Sequence, residues 1–287
     1  MSTSINQKPV TVRTVQKLKE NNQKITMLTA YDYSTAKYLD EAGVDTILVG
    51  DSLGMTVLGY ENTLNVTLND MKVFTGAVAR GAKRSLVISD MPFMTYHVSK
   101  EQAISNAGEL IQAGAQAVKI EGASDFIIDI VKHLTNCGIA VCGHLGFTPQ
   151  YINSIGGYFV QGKNYENSIK LYEDAKKLQD AGAFAVVLEM IPEEIAGFIS
   201  KSLTIPTIGI GGGRYCDGQV LVIDDFIGKY SNFTPKFAKK YADIKTTISE
   251  CARLYVDDVK NGVFPAVEHI FSLDPEEKIK LEKYFDR

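Results

Sequence analysis

The stretch AGAFAVVLEM, residues 181–190, enters through an Ala-Gly pair, runs on through a continuous apolar segment and stops at Glu189. The Ala-Gly pair suits the end of a helix, and the uninterrupted apolar run suits a strand covered on both faces of a parallel sheet. A carboxylate inside such a strand is costly. At its C-terminal end, however, the side chain reaches the mouth where parallel α/β folds place their chemistry. The phrase recurs. In AGVDTILVGDS (42–52) the run Ile47-Leu48-Val49 leads to Asp51 and Ser52, and in AGAQAVKIEG (113–122) Val118 leads to Lys119 and Glu121. Looser versions end near Tyr31-Asp32, at Asp90 in RSLVISDMPF, at His144 in GIAVCGHLG and in glycines in TIPTIGIGGG.

Strands are therefore expected near 25–30, 45–50, 85–90, 116–121, 139–144, 184–189 and 205–210, with a weaker eighth near 219–223. Helical patterns fit between them, such as Leu68 to Lys83 behind the N-cap residue Thr67 and Lys100 to Ala113 behind Ser99. A short helix around Val12 to Asn21 comes first, and a C-terminal helical extension is expected after the barrel. About eight βα units in 287 residues favour a closed (β/α)8 TIM barrel, one domain over 1–287, above an open doubly wound sheet. GIGGGR (209–214) has Arg214 where a dinucleotide-binding GxGxxG needs its third glycine. Its glycines serve either a sharp turn or close approach to a ligand.

Hydrophobic residues make up 45% of the chain and charged ones 22%, enough to bury a large core. A net charge of −4 with no basic block argues against a nucleic-acid surface, so small molecules or protein are the expected partners. The polar start MSTSINQKPV and the lack of any apolar run near the ~20 residues of a membrane span point to a cytoplasmic protein. Cys137, Cys142, Cys216 and Cys251 lack CxxC spacing. Cys137, Cys142 and His144 suggest zinc only weakly, since no fourth ligand is in view, and buried free thiols are expected instead.

Asp51, Asp90, Glu121 and Glu189 thus come from four strand ends, with Lys119, His144 and Ser52 beside them. Side chains alternate along a strand, so Lys119 and Glu121 share one direction. Crowded carboxylates repel unless a cation neutralises them, and oxygen donors favour Mg²⁺, with Asp51 and Asp90 the candidates for direct ligation. An open metal site chelating a 2-oxo acid would acidify the neighbouring C–H and give a metal-bound enolate. Such chemistry needs a base free of the metal. Glu189, at the end of an apolar strand, suits that role.

LVGDSLGMTVLGY (48–60), ISDMPFMTY (88–96), VKIEG (118–122), VCGHLGFTPQ (141–150), GGYFVQG (156–162), VVLEM (186–190) and IGIGGG (208–213), in this order, resemble the ketopantoate hydroxymethyltransferase family. The resemblance runs from about Val12 to His269. It implies a (β/α)8 barrel that moves the one-carbon unit of methylenetetrahydrofolate onto 3-methyl-2-oxobutanoate, giving 2-dehydropantoate, with Mg²⁺ as cofactor and a homodecameric assembly. By the same resemblance, Asp51 and Asp90 hold the metal and Glu121 joins them, through water if not directly. Ser52, Lys119 and His144 contact the oxo acid, and Glu189 accepts the proton. The chain departs from the family pattern at Phe159, Lys163 and Gly212, near the pocket, and at Ala266 and Val267. NFTPKFAKKYADI (232–244) still fits, whereas the charged tail from Asp274 to Arg287 has no counterpart. Two other readings compete: a Mg²⁺-dependent lyase of the isocitrate lyase or phosphoenolpyruvate mutase type, and a barrel that binds oxo acid or folate without turnover.

Overall fold

A computed structural model describes residues 8–230 and 235–286; Asn232 to Thr234 of the family-like segment, most of the polar start and Arg287 lie outside the described residues. Eight parallel strands close into a barrel in sequence order: β1 Ile25–Thr29, β2 Thr46–Val49, β3 Leu86–Asp90, β4 Ala117–Glu121, β5 Val141–Gly146, β6 Ala185–Glu189, β7 Thr207–Ile210 and β8 Gly218–Leu221. Closure is made where β8 pairs with β1, Val220 opposite Met27. The expected eightfold barrel is present, with small shifts that have local causes. The fifth strand starts two residues later than its apolar run because Ile139 N–H is still held by Leu134 O of the preceding helix, at 3.0 Å. The eighth stops at Leu221 because the chain turns into a single-turn helix, Ile223–Phe226, whose first N–H is donated to Thr29 Oγ1 at 2.8 Å.

Helix starts follow their capping residues. Thr67 accepts from Asp70 N–H while the Asp70 carboxylate reaches back, a capping box that opens the helix Leu68–Gly81 two residues shorter than its pattern. Ser99 caps Lys100–Ala113, which ends on Gly114 at φ 119°, a left-handed conformation that glycine adopts freely.

Alternation along each strand sorts the core into two layers. Ile25, Met27, Leu48, Leu86, Ile88, Val187 and Ile208 fill the barrel interior. Ile47, Val87, Val118, Ile120, Val186 and Leu188 face outward under the helices. The first helix, α1 (Val12–Glu20), closes the floor: Val15 is buried in the interior layer, and Lys19 Nζ reaches Ser200 O, Ile205 O and Asp217 Oδ2 at 2.9, 2.9 and 2.8 Å. The mouth at the other end is left to the polar strand ends.

Strict alternation lapses once. The connection from β7 to β8, residues 211–217, contains no helix. The glycines there are packing residues: a Cβ on Gly212 would lie 2.8 Å from Leu188 O, and one on Gly213 2.0 Å from Glu193 Cβ. Close packing in a turn excludes a side chain at both. Beyond the barrel, α2 (Ile244–Lys260) and α3 (Pro275–Phe285) form the expected C-terminal extension, and neither contains a buried residue. No helix among the described residues is long and apolar enough to cross a membrane.

Candidate active site

The interior parity that carries Leu86 and Ile88 inward also carries Asp90 inward. On β4 it carries Ala117, Lys119 and Glu121, on β5 Cys142 and His144, and on β6 Ala185, Val187 and Glu189. Register then levels them, with Asp90 opposite Lys119 and Glu121 opposite His144. A charged layer sits directly on the apolar one. Asp51 arrives differently, from the turn after β2, and is held there by its own N–H donating to Asp90 Oδ2 at 3.0 Å.

Lys119 Nζ lies 3.1 Å from Asp90 Oδ1 and 3.9 Å from Glu121 Oε1, so the shared direction of Lys119 and Glu121 places a cation among three acids. Its Nζ is also 3.2 Å from His144 Nδ1. An ammonium can only donate, which makes Nδ1 the acceptor and puts the ring hydrogen on Nε2. That nitrogen is 3.2 Å from Glu189 Oε2, an ion-pair distance, although the angle falls short of a hydrogen bond. Glu189 keeps 15% of its side-chain exposure, against 1–5% for Asp90, Lys119, Glu121 and His144. It is the most open member of the group. Ser52, half-buried, pairs its Oγ with the Tyr31 hydroxyl at 2.8 Å.

Three buried residues complete the network without having been singled out from the sequence. Gln150 donates Nε2–H to Asp51 Oδ2 and to Met91 O, both at 2.9 Å, and its backbone N–H to Glu121 Oε2 at 3.0 Å. The Tyr96 hydroxyl donates to Gln150 Oε1 at 2.7 Å and accepts from Glu121 N–H at 3.1 Å. Tyr31 orients Ser52. Gln150 and Tyr96 stand in the family-like stretches VCGHLGFTPQ and ISDMPFMTY, but neither charge nor strand parity marks them.

Burial first, then the neighbouring acids, pushes Asp51 well above the usual carboxylate range, and burial raises Asp90 against the opposing pull of Lys119. Lys119 is held charged because Asp90, Glu121 and Asp51 outweigh its desolvation. Burial and Lys119 together lower His144, which keeps the ring neutral. These residues fit a hard divalent ion. Asp90 Oδ1 is buried without a hydrogen bond and is held only by the Lys119 ammonium at 3.1 Å, while Asp51 has one oxygen tied to Gln150 and another that is not. Among the described residues no three His, Cys, Asp or Glu side chains are grouped to hold a metal alone. Mg²⁺ takes one or two carboxylates and completes its shell with water and substrate oxygens. Glu121 stands further back, with Oε2 accepting from Gln150 N–H at 3.0 Å and Oε1 turned toward the Lys119 ammonium, 3.9 Å away.

Burial raises Glu121 to about 7 from an ordinary 4.5. A raised carboxyl contributes stability below its unfolded value and loses it as pH climbs through the folded one. In chelator, the stability of the parent relative to Glu121→Gln is therefore expected to fall between pH 4.5 and 8, by on the order of 3 kcal/mol. Denaturant melts across that range measure it, and a difference that stays flat refutes the buried-acid account.

The cysteines are all free, but only Cys142 and Cys216 are buried, while Cys137 and Cys251 are exposed. Cys142 lies in the interior layer beneath the site, where burial pushes its thiol up to about 12. Phe159 and Lys163 are exposed on the loop after β5, and Ala266 and Val267 belong to the C-terminal arm.

A family model described as ketopantoate hydroxymethyltransferase matches residues 9–267. Among curated proteins, the chain is similar to the 3-methyl-2-oxobutanoate hydroxymethyltransferase of Acetivibrio thermocellus, 58% identical over 257 residues, 89% of this chain and 90% of that one. It is also similar to the enzyme of that name from Clostridium novyi, 53% identical across 92% of this chain and 96% of the other. Among solved structures, a phosphonopyruvate hydrolase complexed with oxalate and Mg²⁺ aligns with a TM-score of 0.59 at 11% identity, covering 96% and 98% of the two chains. A 2,3-dimethylmalate lyase of the phosphoenolpyruvate mutase and isocitrate lyase superfamily aligns at 0.58 and 14% identity, covering 95% and 98%. At such identities these two share the fold.

Proposed function

The chain belongs to the ketopantoate hydroxymethyltransferase family, enzymes of pantothenate biosynthesis, and from that membership and its barrel mouth we propose the reaction in detail. The substrate is 3-methyl-2-oxobutanoate, the one-carbon donor methylenetetrahydrofolate and the product 2-dehydropantoate, with Mg²⁺ held by Asp51 and Asp90. When bound, the ion polarises the substrate ketone and acidifies the adjacent C–H. Glu189 takes the proton from the branched carbon. Lys119 offsets charge growing on the ketone oxygen, and Ser52 and His144 hold the oxo acid in line with the base. The carbon released as a nucleophile then attacks the methylene group of the donor; both C–N bonds to the folate break in turn, water supplies the hydroxyl oxygen of the product, and the proton taken by Glu189 and the one left by water go to the two folate nitrogens. Glu121 acts one step removed, by fixing Lys119, which in turn donates to His144 Nδ1.

One observation carries this reading: of the four strand-end acids, Glu189 alone stays partly open while the others close into a buried group around Lys119. The test is proton NMR of 3-methyl-2-oxobutanoate in D₂O with enzyme and no folate. Mg²⁺-dependent loss of the branched-carbon proton is expected. Its absence, with 2-dehydropantoate still formed once donor is added, would mean that donor binding must precede proton removal; absence of both sinks the assignment. A lyase reading rests on likeness of fold alone, and a pure binder has no use for an accessible carboxylate such as Glu189.

We further infer that subunits associate, in a homodecamer as the family resemblance implies. The outer face of β1 and β8 is uncovered where an eighth barrel helix would pack, leaving a groove of about 780 Å³ lined by Leu28, Val44, Leu221, Phe226 and Phe237. The same chain carries an amphipathic helix with no buried residue, α2, whose Ile244, Ile248, Tyr255 and Val259 form one apolar stripe. A second copy supplies each with its complement. Ile248→Glu combined with Tyr255→Glu is expected to lower the mass seen by light scattering, and an unchanged mass rules this contact out.

A further inference from the structure

Gln150 ties together more of the site than any of the acids. It follows β5 in a single 3₁₀ turn, Pro149–Tyr151, is 3% exposed, and reaches elements that follow β2, β3 and β4. Its orientation is determined. The Tyr96 hydroxyl already accepts from Glu121 N–H, so its own hydrogen goes to Gln150 Oε1, while Nε2 faces a carboxylate and a carbonyl that can only accept. Reversing the amide would set oxygen against oxygen on both sides. No polar group of Gln150 is left over for substrate.

We propose that Gln150 is a positioning residue for the divalent ion: its carboxamide holds Asp51 Oδ2 so that the other Asp51 oxygen is presented together with Asp90 Oδ1. This rests on Asp51 and Asp90 being the ligands. Groups that orient a ligand from behind are worth 10–100-fold in metal affinity, roughly, when removed. Tyr96 acts one bond further out, by fixing the amide that fixes the acid.

Calorimetric titration with Mg²⁺ alone tests this on the intact enzyme, in parallel with Asp51→Asn. Gln150→Met, of similar length but unable to hydrogen-bond, is expected to raise the Mg²⁺ Kd about 10-fold or more and the Mg²⁺ requirement of the reaction in step, while kcat at saturating Mg²⁺ is largely restored. A residue with a structural role only would lower thermal stability and leave the Kd in place. Tyr96→Phe keeps the Asp51 contact and is expected to raise the Kd about 3-fold, so it carries the test if Gln150→Met does not fold. If both Kd values stay within about twofold of the parent while Asp51→Asn abolishes binding, Gln150 does not position the ligand. If Asp51→Asn also leaves Mg²⁺ binding intact, the ligand assignment fails first and the proposal with it.

Discussion

Glu189→Gln is expected to lower turnover on the order of 10³-fold while 3-methyl-2-oxobutanoate still binds, the range in which a lost general base falls. The substitution preserves shape and leaves an oxygen facing His144 Nε2, 3.2 Å away in the parent. What it removes is proton affinity. Loss of exchange at the branched carbon in D₂O, with the oxo-acid dissociation constant within a few-fold of the parent, is the expected pair of results. Exchange at the parental rate would take the base role from Glu189. A rise in the dissociation constant alone would make it a binding residue.

Asp90→Asn is expected to weaken Mg²⁺ binding on the order of 10²-fold. One unit charge near contact distance is worth about 4 kcal/mol at an effective dielectric of 20. Some of that is returned, because removing one of two adjacent buried acids relieves their repulsion in the metal-free protein. The side-chain amide introduced by this change would still accept from Asp51 N–H, so the turn after β2 is kept, but Lys119 loses its nearest counter-charge and retains Glu121 at 3.9 Å. Mg²⁺ calorimetry reads the effect directly, and an unaltered titration means that Asp90 is not a ligand.

The strands could be read from the sequence because a parallel barrel buries both faces of each one, so that β2 through β6 stand out as apolar runs ending in charge. The acids, Lys119 and His144 could be placed because parity along a strand fixes direction. Gln150 could not. Its importance lies in hydrogen bonds to a residue 99 positions away, and an uncharged amide in a loop carries no periodic signal. The missing helix between β7 and β8 was hidden similarly, since GIGGG reads equally as turn or ligand loop until Leu188 and Glu193 are seen pressed against it. Exposure of Cys137 depends on how a helix end faces solvent, which spacing does not encode.

The floor of the barrel also orders events in time. Lys19 of α1 finds its partners at Ser200, Ile205 and Asp217, sequence separations of 181, 186 and 198. During synthesis at roughly 5–20 residues per second, the plug therefore waits on the order of 10–40 s for the segment that receives it. Until then the interior layer stays open below, and β1 has no β8 to pair with. Nascent chains that have not yet reached the last strand, Gly218–Leu221, thus expose an interior that the finished barrel covers.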